Sequence, residues 1–310
     1  MSGSSSTNQP TKDSATAFVW GQYRVFAATS RAYKAELSAW RLRVLALSIG
    51  GAFLATICQQ SSGWGLEGGR LDWLPTALGV LSAIALGLAA YFGKEILNPE
   101  KERRWIRARS TAESLKAEAY LFLAGATPYD KAEAVDLVFK RTEELIDTVK
   151  DLPTKTISEE DKGKGLPPTA LSVDQYIEMR VNDQINEFYV PRAIENERVT
   201  KRGRQISLFL GALAVVLGGL GASGWTAAWV AVITTVTVAI AAYLYAGRYQ
   251  YLVISYQATA RRLELLRSRW QASGMTDANA DERNQFIHNC EEAISVENNA
   301  WMAEFTKETA

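Results

Sequence analysis

The sequence predicts an all-α integral membrane protein whose four transmembrane helices, arranged as two hairpins, continue into a cytoplasmic helical bundle. Three observations carry this: charge is segregated along the chain, the uncharged stretches have membrane length, and basic residues flank one side of each hairpin. Hydrophobic residues make up 47% and charged residues 22%, with zero formal net charge, so the average alone resembles that of a soluble protein. The distribution does not. Residues 73–93 and 205–247 carry no charge, and residues 42–66 carry only Arg43. A helix rising about 1.5 Å per residue needs roughly 20 apolar residues to cross the hydrocarbon layer. The spans fall at about 44–60, 73–92, 206–222 and 225–246, the first being the least secure because its end is polar.

Residues 1–16 read as a Ser/Thr-rich disordered tail, without the apolar segment of a signal peptide. A helix then runs from Ala17 into the first span. Trp64 and Trp73 stand where interfacial aromatics are expected, and Tyr91–Phe92 mark the opposite face. Asn98 followed by Pro99 signals a helix start, and Thr127–Pro128 signals another. Residues 17–151 form a first unit and 152–171, with three prolines and mixed charge, a linker. Residues 172–306 form a second unit, opened by a cap at Ser172 and interrupted at Pro191. Arg198, Lys201, Arg202 and Arg204 lead into the third span, and Ser223–Gly224 leaves only room for a tight antiparallel turn. In the last helix Phe286, Cys290, Ile294, Glu297, Trp301 and Phe305 share a face.

Orientation follows from the basic flanks. Arg41, Arg43, Lys94, Lys101, Arg202, Arg204 and Arg248 lie on one side, whereas the other side holds Arg70 alone, offset by Glu67 and Asp72. The positive-inside rule therefore puts both termini in the cytoplasm. The two halves repeat one plan of helix, basic flank, hairpin and helix, with Trp105 parallel to Tyr256 and Glu113, Leu115 and Lys116 parallel to Glu264, Leu266 and Arg267. Both hairpins enter from the same side, so the duplication is parallel rather than inverted.

Trp105, Arg109, Ala112-Glu113, Leu115-Lys116 and Pro128-Tyr129 in the first half give the chain a family likeness. So do Tyr176, Arg180, Gln184, Tyr189, Ala193, Leu263, Glu297 and Trp301 in the second. Each half resembles a SLATT domain, a two-transmembrane module with flanking cytoplasmic helices, and the tandem resembles DUF4231 proteins. The resemblance implies a membrane effector of bacterial conflict and antiphage defence, forming a pore when a nucleotide-signalling or sensor partner is triggered. The alternative is a non-conducting scaffold that recruits partners through its cytoplasmic helices.

Candidate sites are weighed against plainer roles. Gly79, Ala83 and Gly87 form one row of small residues, and Ser207, Gly211, Ala214 and Gly218 another. Such rows let helix backbones approach, either within a hairpin or between subunits of a homo-oligomer. Thr234 and Thr237 line either a water-filled path or, as membrane threonines usually do, bond their own helix. No span carries an ionisable residue, which argues against a proton relay. Trp105, Arg109, Glu113, Lys116, Glu297 and Trp301 are candidates for a signal or partner interface, the plainer role being salt bridges that hold the bundle. One histidine, His288, and the distant Cys58 and Cys290 make no zinc site, and Gly163-Lys164-Gly165 lacks the context of a phosphate loop. No enzyme, no cofactor and no nucleic-acid partner is expected; the lipid bilayer is.

Overall fold

The computed structural model describes residues 11–61, 63, 70–95, 98–220, 224–274 and 279–306, with side chains described up to residue 296 except at 224 and 225. Among them the regular structure is all helical, joined by turns, and no strand occurs. Helix α1 (Lys12–Ser61), α2 (Leu74–Glu95), α3 (Pro99–Ala124), α4 (Ala134–Asp147), the short α5 (Glu159–Gly163) and the four-residue α6 (Val173–Tyr176) make the first part. Two π-helical stretches follow, Ile177–Asn182 and Gln184–Tyr189, then α7 (Val190–Gly219), α8 (Gly224–Ala246), α9 (Tyr249–Ala272) and α10 (Ala280–Thr306).

The helix starts answer to identifiable side chains. Asn98 Oδ1 accepts from the Lys101 amide at 3.1 Å, capping α3 as its sequence predicts. Ser172 and Gln175 form a reciprocal capping box on α6. The start expected at Thr127–Pro128 comes later, at Ala134, after a stretch of turns. Pro191 restarts the chain as anticipated, because regular α geometry resumes at Val190, where a missing N–H near the helix start costs nothing.

The π stretches were not foreseen. From Tyr176 to Tyr189 the buried positions are 176, 177, 180, 181, 184, 185 and 189. The inward positions 176, 180, 184 and 189 step by four, four and five residues, wider than an α-helical turn and in keeping with i→i+5 bonding. The wider turn keeps Tyr176, Arg180, Gln184 and Tyr189 on one inward face, where an α-helix would carry them progressively around its surface.

The chain divides into two compact units, each drawing on both sequence halves. One contains the described residues of Met1–Lys34, Arg103–Arg192 and Ser255–Ala310, and the other Ala35–Glu102 and Ala193–Ile254. The first, the bundle unit, has a core joined by aromatic edge contacts. Trp20 of α1 meets Tyr120 of α3 at 6.1 Å, Tyr120 meets Tyr176 at 6.1 Å, and Tyr176 meets Phe286 of α10, which stacks on Trp270 of α9 at 4.8 Å. The stretch read as a linker is strapped to α1 within this unit. Trp20 Nε1 donates to the Lys164 carbonyl, Tyr33 Oη to that of Pro153 at 2.6 Å, and the Lys155 amide donates to Thr29 Oγ1.

The second, the hairpin unit, is apolar. Three helical segments are long and apolar enough to cross a membrane among the described residues: Lys12–Ser61, Leu74–Glu95 and Thr226–Ala272. Only 11% of each apolar window is buried within the chain, leaving the remaining faces for a surrounding apolar medium. The first span, the least secure by sequence, is thus among those that qualify. The third expected span, 206–222, is carried by α7 and is not among them, and residues 221–223 lie outside the described residues.

Close approach is achieved at particular small residues. Ser82 Oγ donates to the Gly51 carbonyl at 2.8 Å, and a Cβ at Gly51 would stand 2.7 Å from Leu86 Cγ. A Cβ at Gly203 of α7 would stand 2.6 Å from Leu244 of α8. The α8–α9 break is sharp. Arg248 takes a left-handed φ of 49°, and a side chain at Gly247 would collide with the Tyr249 ring at 2.2 Å. Arg41 pairs with Glu102 at 2.9 Å and Lys101 with Glu36 at 3.1 Å at the polar ends of this unit.

Candidate functional site

The bundle unit is built around a buried ion pair. Arg180, on the first π stretch, is fully buried and donates through Nε and Nη2 to Glu291 of α10 at 2.9 and 2.7 Å. Tyr176 Oη donates to the same carboxylate at 2.9 Å. Burial opposes the Arg180 charge, but the Glu291 carboxylate outweighs it and holds the guanidinium pKa well above its ordinary value. Burial, with Glu291 next in effect, pushes the Tyr176 phenol far up. Around this pair the polar groups are nearly all engaged. With the Gln184 amide turned to suit its neighbours, its oxygen accepts from Lys116 Nζ at 3.1 Å and Arg180 Nη1 at 2.9 Å. Arg180 also lies 5.1 Å from the Tyr120 ring centroid.

Beside this network is a cavity of about 320 Å³, with every lining residue drawn from the bundle unit. Trp105, Arg109, Glu113 and Lys116, four of the candidates chosen from sequence, all line it. They recur at three- and four-residue spacing along α3, so one face of one helix presents them together. The π stretch contributes Asp183, Gln184, Glu187 and Phe188, α1 contributes Tyr23, Arg31 and Lys34, and α9 contributes Tyr256.

The groups around the cavity are electrically uneven. Lys116 is buried, with its ammonium 3.7 Å from Asp183 and 5.6 Å from the Tyr23 ring centroid. Burial lowers its pKa, with Arg180 the next cause. Burial and the Glu113 carboxylate raise that of Tyr23. Arg109 stands over two rings, 5.8 Å from Phe188 and 5.9 Å from Tyr256. Glu113 approaches Arg180 only to 3.9 Å, and its Oε2 is buried without a hydrogen bond. Glu297 and Trp301 belong to α10, but their side chains lie outside the described residues.

The small-residue candidates separate by environment. Gly79 packs within its hairpin, where a Cβ would meet Cys58 Sγ at 3.2 Å. Ala83 and Gly87 are exposed, and the packed side of α2 carries Ser82 and Ala89 instead. Ser207 is half-buried, whereas Gly211 and Gly218 are exposed with open space above them. Thr234, Thr235 and Thr237 each donate to a carbonyl four residues back, at 2.9, 3.0 and 2.8 Å, the plainer of the two roles considered for them.

Sequence reasoning missed Glu291. A signal was present, because Glu291 interrupts the apolar stripe formed by Phe286, Ile287, Cys290 and Ile294. A carboxylate placed in such a stripe requires a buried cation, and Arg180 supplies it.

Fold and site together define an all-helical chain that joins membrane-length apolar helices to a polar bundle with an internal ion-pair network. Residues 176–301 match the family model described as SMODS and SLOG-associating 2TM effector domain 1. Residues 22–136 match the model described as protein of unknown function DUF4231. The SLATT likeness expected of both halves is thereby found for the second, with the first matching DUF4231. Neither a curated protein nor a solved structure matches the chain.

Proposed function

We propose that this protein is a membrane effector of a bacterial conflict or antiphage defence system, resident in the inner membrane with both termini cytoplasmic. The observation that carries the proposal is the match of residues 176–301 to a two-transmembrane effector domain, in a chain with three helices of membrane-crossing length. The basic flanks of the apolar spans support the orientation. The effector assembles as a homo-oligomer and perturbs or perforates the bilayer when a partner protein or a nucleotide signal acts on the bundle. Exposed small residues on α2 and α7 support close helix contact between subunits. The effector acts by packing and binding, without catalysis of its own.

The test is co-expression with the genomic partner, followed by triggering and a membrane-potential dye. Rapid depolarisation is expected, and unchanged potential with full viability would overturn the proposal. One observation favours the non-conducting scaffold: the hydroxyls of Thr234, Thr235 and Thr237 on α8 are bonded to their own helix rather than turned to a polar lining. The mass of the solubilised protein separates the two, since a monomer under every condition fits the scaffold alone.

A further inference from the structure

We infer that one exposed face of α7, in the hairpin unit, is a binding site for an anionic phospholipid. Arg198, Lys201, Arg202 and Arg204 lie in the two turns before the uncharged stretch that begins at residue 205. All four are exposed, and none makes an ion pair, ring contact or hydrogen bond through its side chain among the described residues. No carboxylate stands between Arg198 and Arg204, and the nearest in sequence, Glu195 and Glu197, precede the cluster on the side away from the apolar stretch. The basic flank of the first hairpin differs. Arg41 pairs with Glu102 at 2.9 Å, Lys101 pairs with Glu36 at 3.1 Å, and Arg43 lies 4.5 Å from the Trp40 ring centroid. Those cations are engaged by the protein itself, whereas the cluster on α7 is left for a partner outside the chain.

Helical spacing sorts the residues of α7 into faces. Arg198, Lys201 and Arg202 stand three and four apart and share one face, which continues through Phe209 and Val216 at steps of seven. Phe209 and Val216 are 69% and 58% exposed, so this face passes from cations to bulky apolar side chains. The opposite side holds the buried Ala193, Asn196 and Gly203 and, further along, Ser207, Gly211 and Gly218. Packing within the chain, and the subunit contact proposed at those small residues, therefore leave the basic face open. Leu244 of α8 packs at Gly203, which sets Tyr243 and Tyr245 level with the cations, the depth at which interfacial aromatics meet lipid headgroups.

The face calls for one molecule with an anionic head and an apolar tail. The phosphodiester of an anionic phospholipid accepts from the guanidinium and ammonium donors, while its acyl chains lie along Phe209 and Val216. A zwitterionic phospholipid fits less well, because its own cationic group offsets the phosphate. A soluble anion leaves the apolar part of the face unmatched. The inference rests on the membrane residence proposed above, and it is read by lipid retention rather than by membrane potential.

The experiment is native mass spectrometry of the full chain released from nanodiscs of equal parts palmitoyl-oleoyl phosphatidylglycerol and phosphatidylcholine. A cation near the membrane surface contributes a factor of about five, so phosphatidylglycerol should be retained in preference by about tenfold or more. Arg198→Gln, Lys201→Gln and Arg202→Gln should each lower the preference by about fivefold, and together should abolish it. All three residues are exposed, so their replacement leaves the fold in place. Arg198→Lys with Arg202→Lys keeps the charge and should keep the preference. Arg41→Gln, Arg43→Gln and Lys101→Gln together remove the same charge from engaged positions and should leave the preference unchanged. Equal retention of the two lipids overturns the inference, and so does an equal loss in the two triple variants, which would mean diffuse attraction. A dimer that carries no phosphatidylglycerol also overturns it, because a second copy then covers this face, as does displacement of the lipid by glycerol 3-phosphate. Depolarisation on triggering with equal lipid retention would remove this inference alone, and selective retention without depolarisation would remove the effector reading alone.

Discussion

The bundle unit and the hairpin unit are stabilised by opposite arrangements. In the bundle, Arg180 and Glu291 are buried together, and the largest apolar side chains, such as Phe122, Leu115 and Leu263, are sealed inside. In the hairpin unit Leu208, Phe209, Val215 and Leu220 are exposed, and the contacts that bring helices together are made by Gly51, Gly203 and Ser82. The difference is one of solvent. Water drives apolar side chains inward and tolerates an interior charge only when it is paired. A lipid surrounding offers no such drive, so helices associate by close backbone approach and occasional hydrogen bonds. One chain obeys both rules, changing from one to the other within single continuous helices.

The largest expected effect tests the first half of that contrast. Arg180→Met leaves Glu291 buried without its cation and should cost about 3–5 kcal/mol in denaturant unfolding of the solubilised chain. Adding Glu291→Leu should recover much of the loss, because the uncompensated charge is then gone. A single-variant cost below about 1 kcal/mol would show that the bundle does not depend on its buried pair.

A smaller effect tests the other half. Gly51→Ala forces a methyl group against Leu86 and should cost about 1–3 kcal/mol. Gly211→Ala meets open space and should be neutral or stabilising by up to about 1 kcal/mol, since alanine favours the helix. Equal losses at the two glycines, measured by unfolding in detergent, would mean that exposure within one chain does not report packing in the assembly.

The smallest concerns pH. Burial, moderated by Arg180, pushes the Tyr120 phenol up to about 12, from 10.0 for an ordinary tyrosine. The folded state therefore keeps a proton that the unfolded chain releases. The resulting stability is fully present below pH 10 and is lost as pH rises through about 12. Lys116 acts in the opposite sense, its lowered pKa making stability rise as pH approaches 10.5. Melting temperatures between pH 9 and 12 should fall less steeply in Tyr120→Phe than in the parent chain, and an identical slope would remove Tyr120 from the account.

Much of this architecture was legible from local chemistry. The caps at Asn98 and Ser172 act through side chains next to the backbone groups they satisfy, so spacing alone revealed them. The same holds for Thr234 and Thr237 of α8, whose partners lie one turn away. Trp105, Arg109, Glu113 and Lys116 could be grouped because helical spacing places them on one face. Their company could not be foreseen: Phe188 and Tyr256 come from elements distant in sequence. The row Gly79, Ala83 and Gly87 shows the limit of spacing, which defines a face without saying which side meets a neighbour. Here the packed side is rotated toward Ser82 and Ala89.

By itself the sequence determined the helical class, the apolar stretches of membrane length and the basic flanks, because each depends on composition and spacing along a single segment. Tertiary structure alone decided the π stretches, the Arg180–Glu291 pair and the cavity beside them. Local preference favours the i→i+4 turn, so a reading of local sequence gives an α-helix where the wider i→i+5 turn stands. The choice comes from packing: the wider turn keeps Tyr176, Arg180, Gln184 and Tyr189 inward, where Glu291 and the aromatic core receive them.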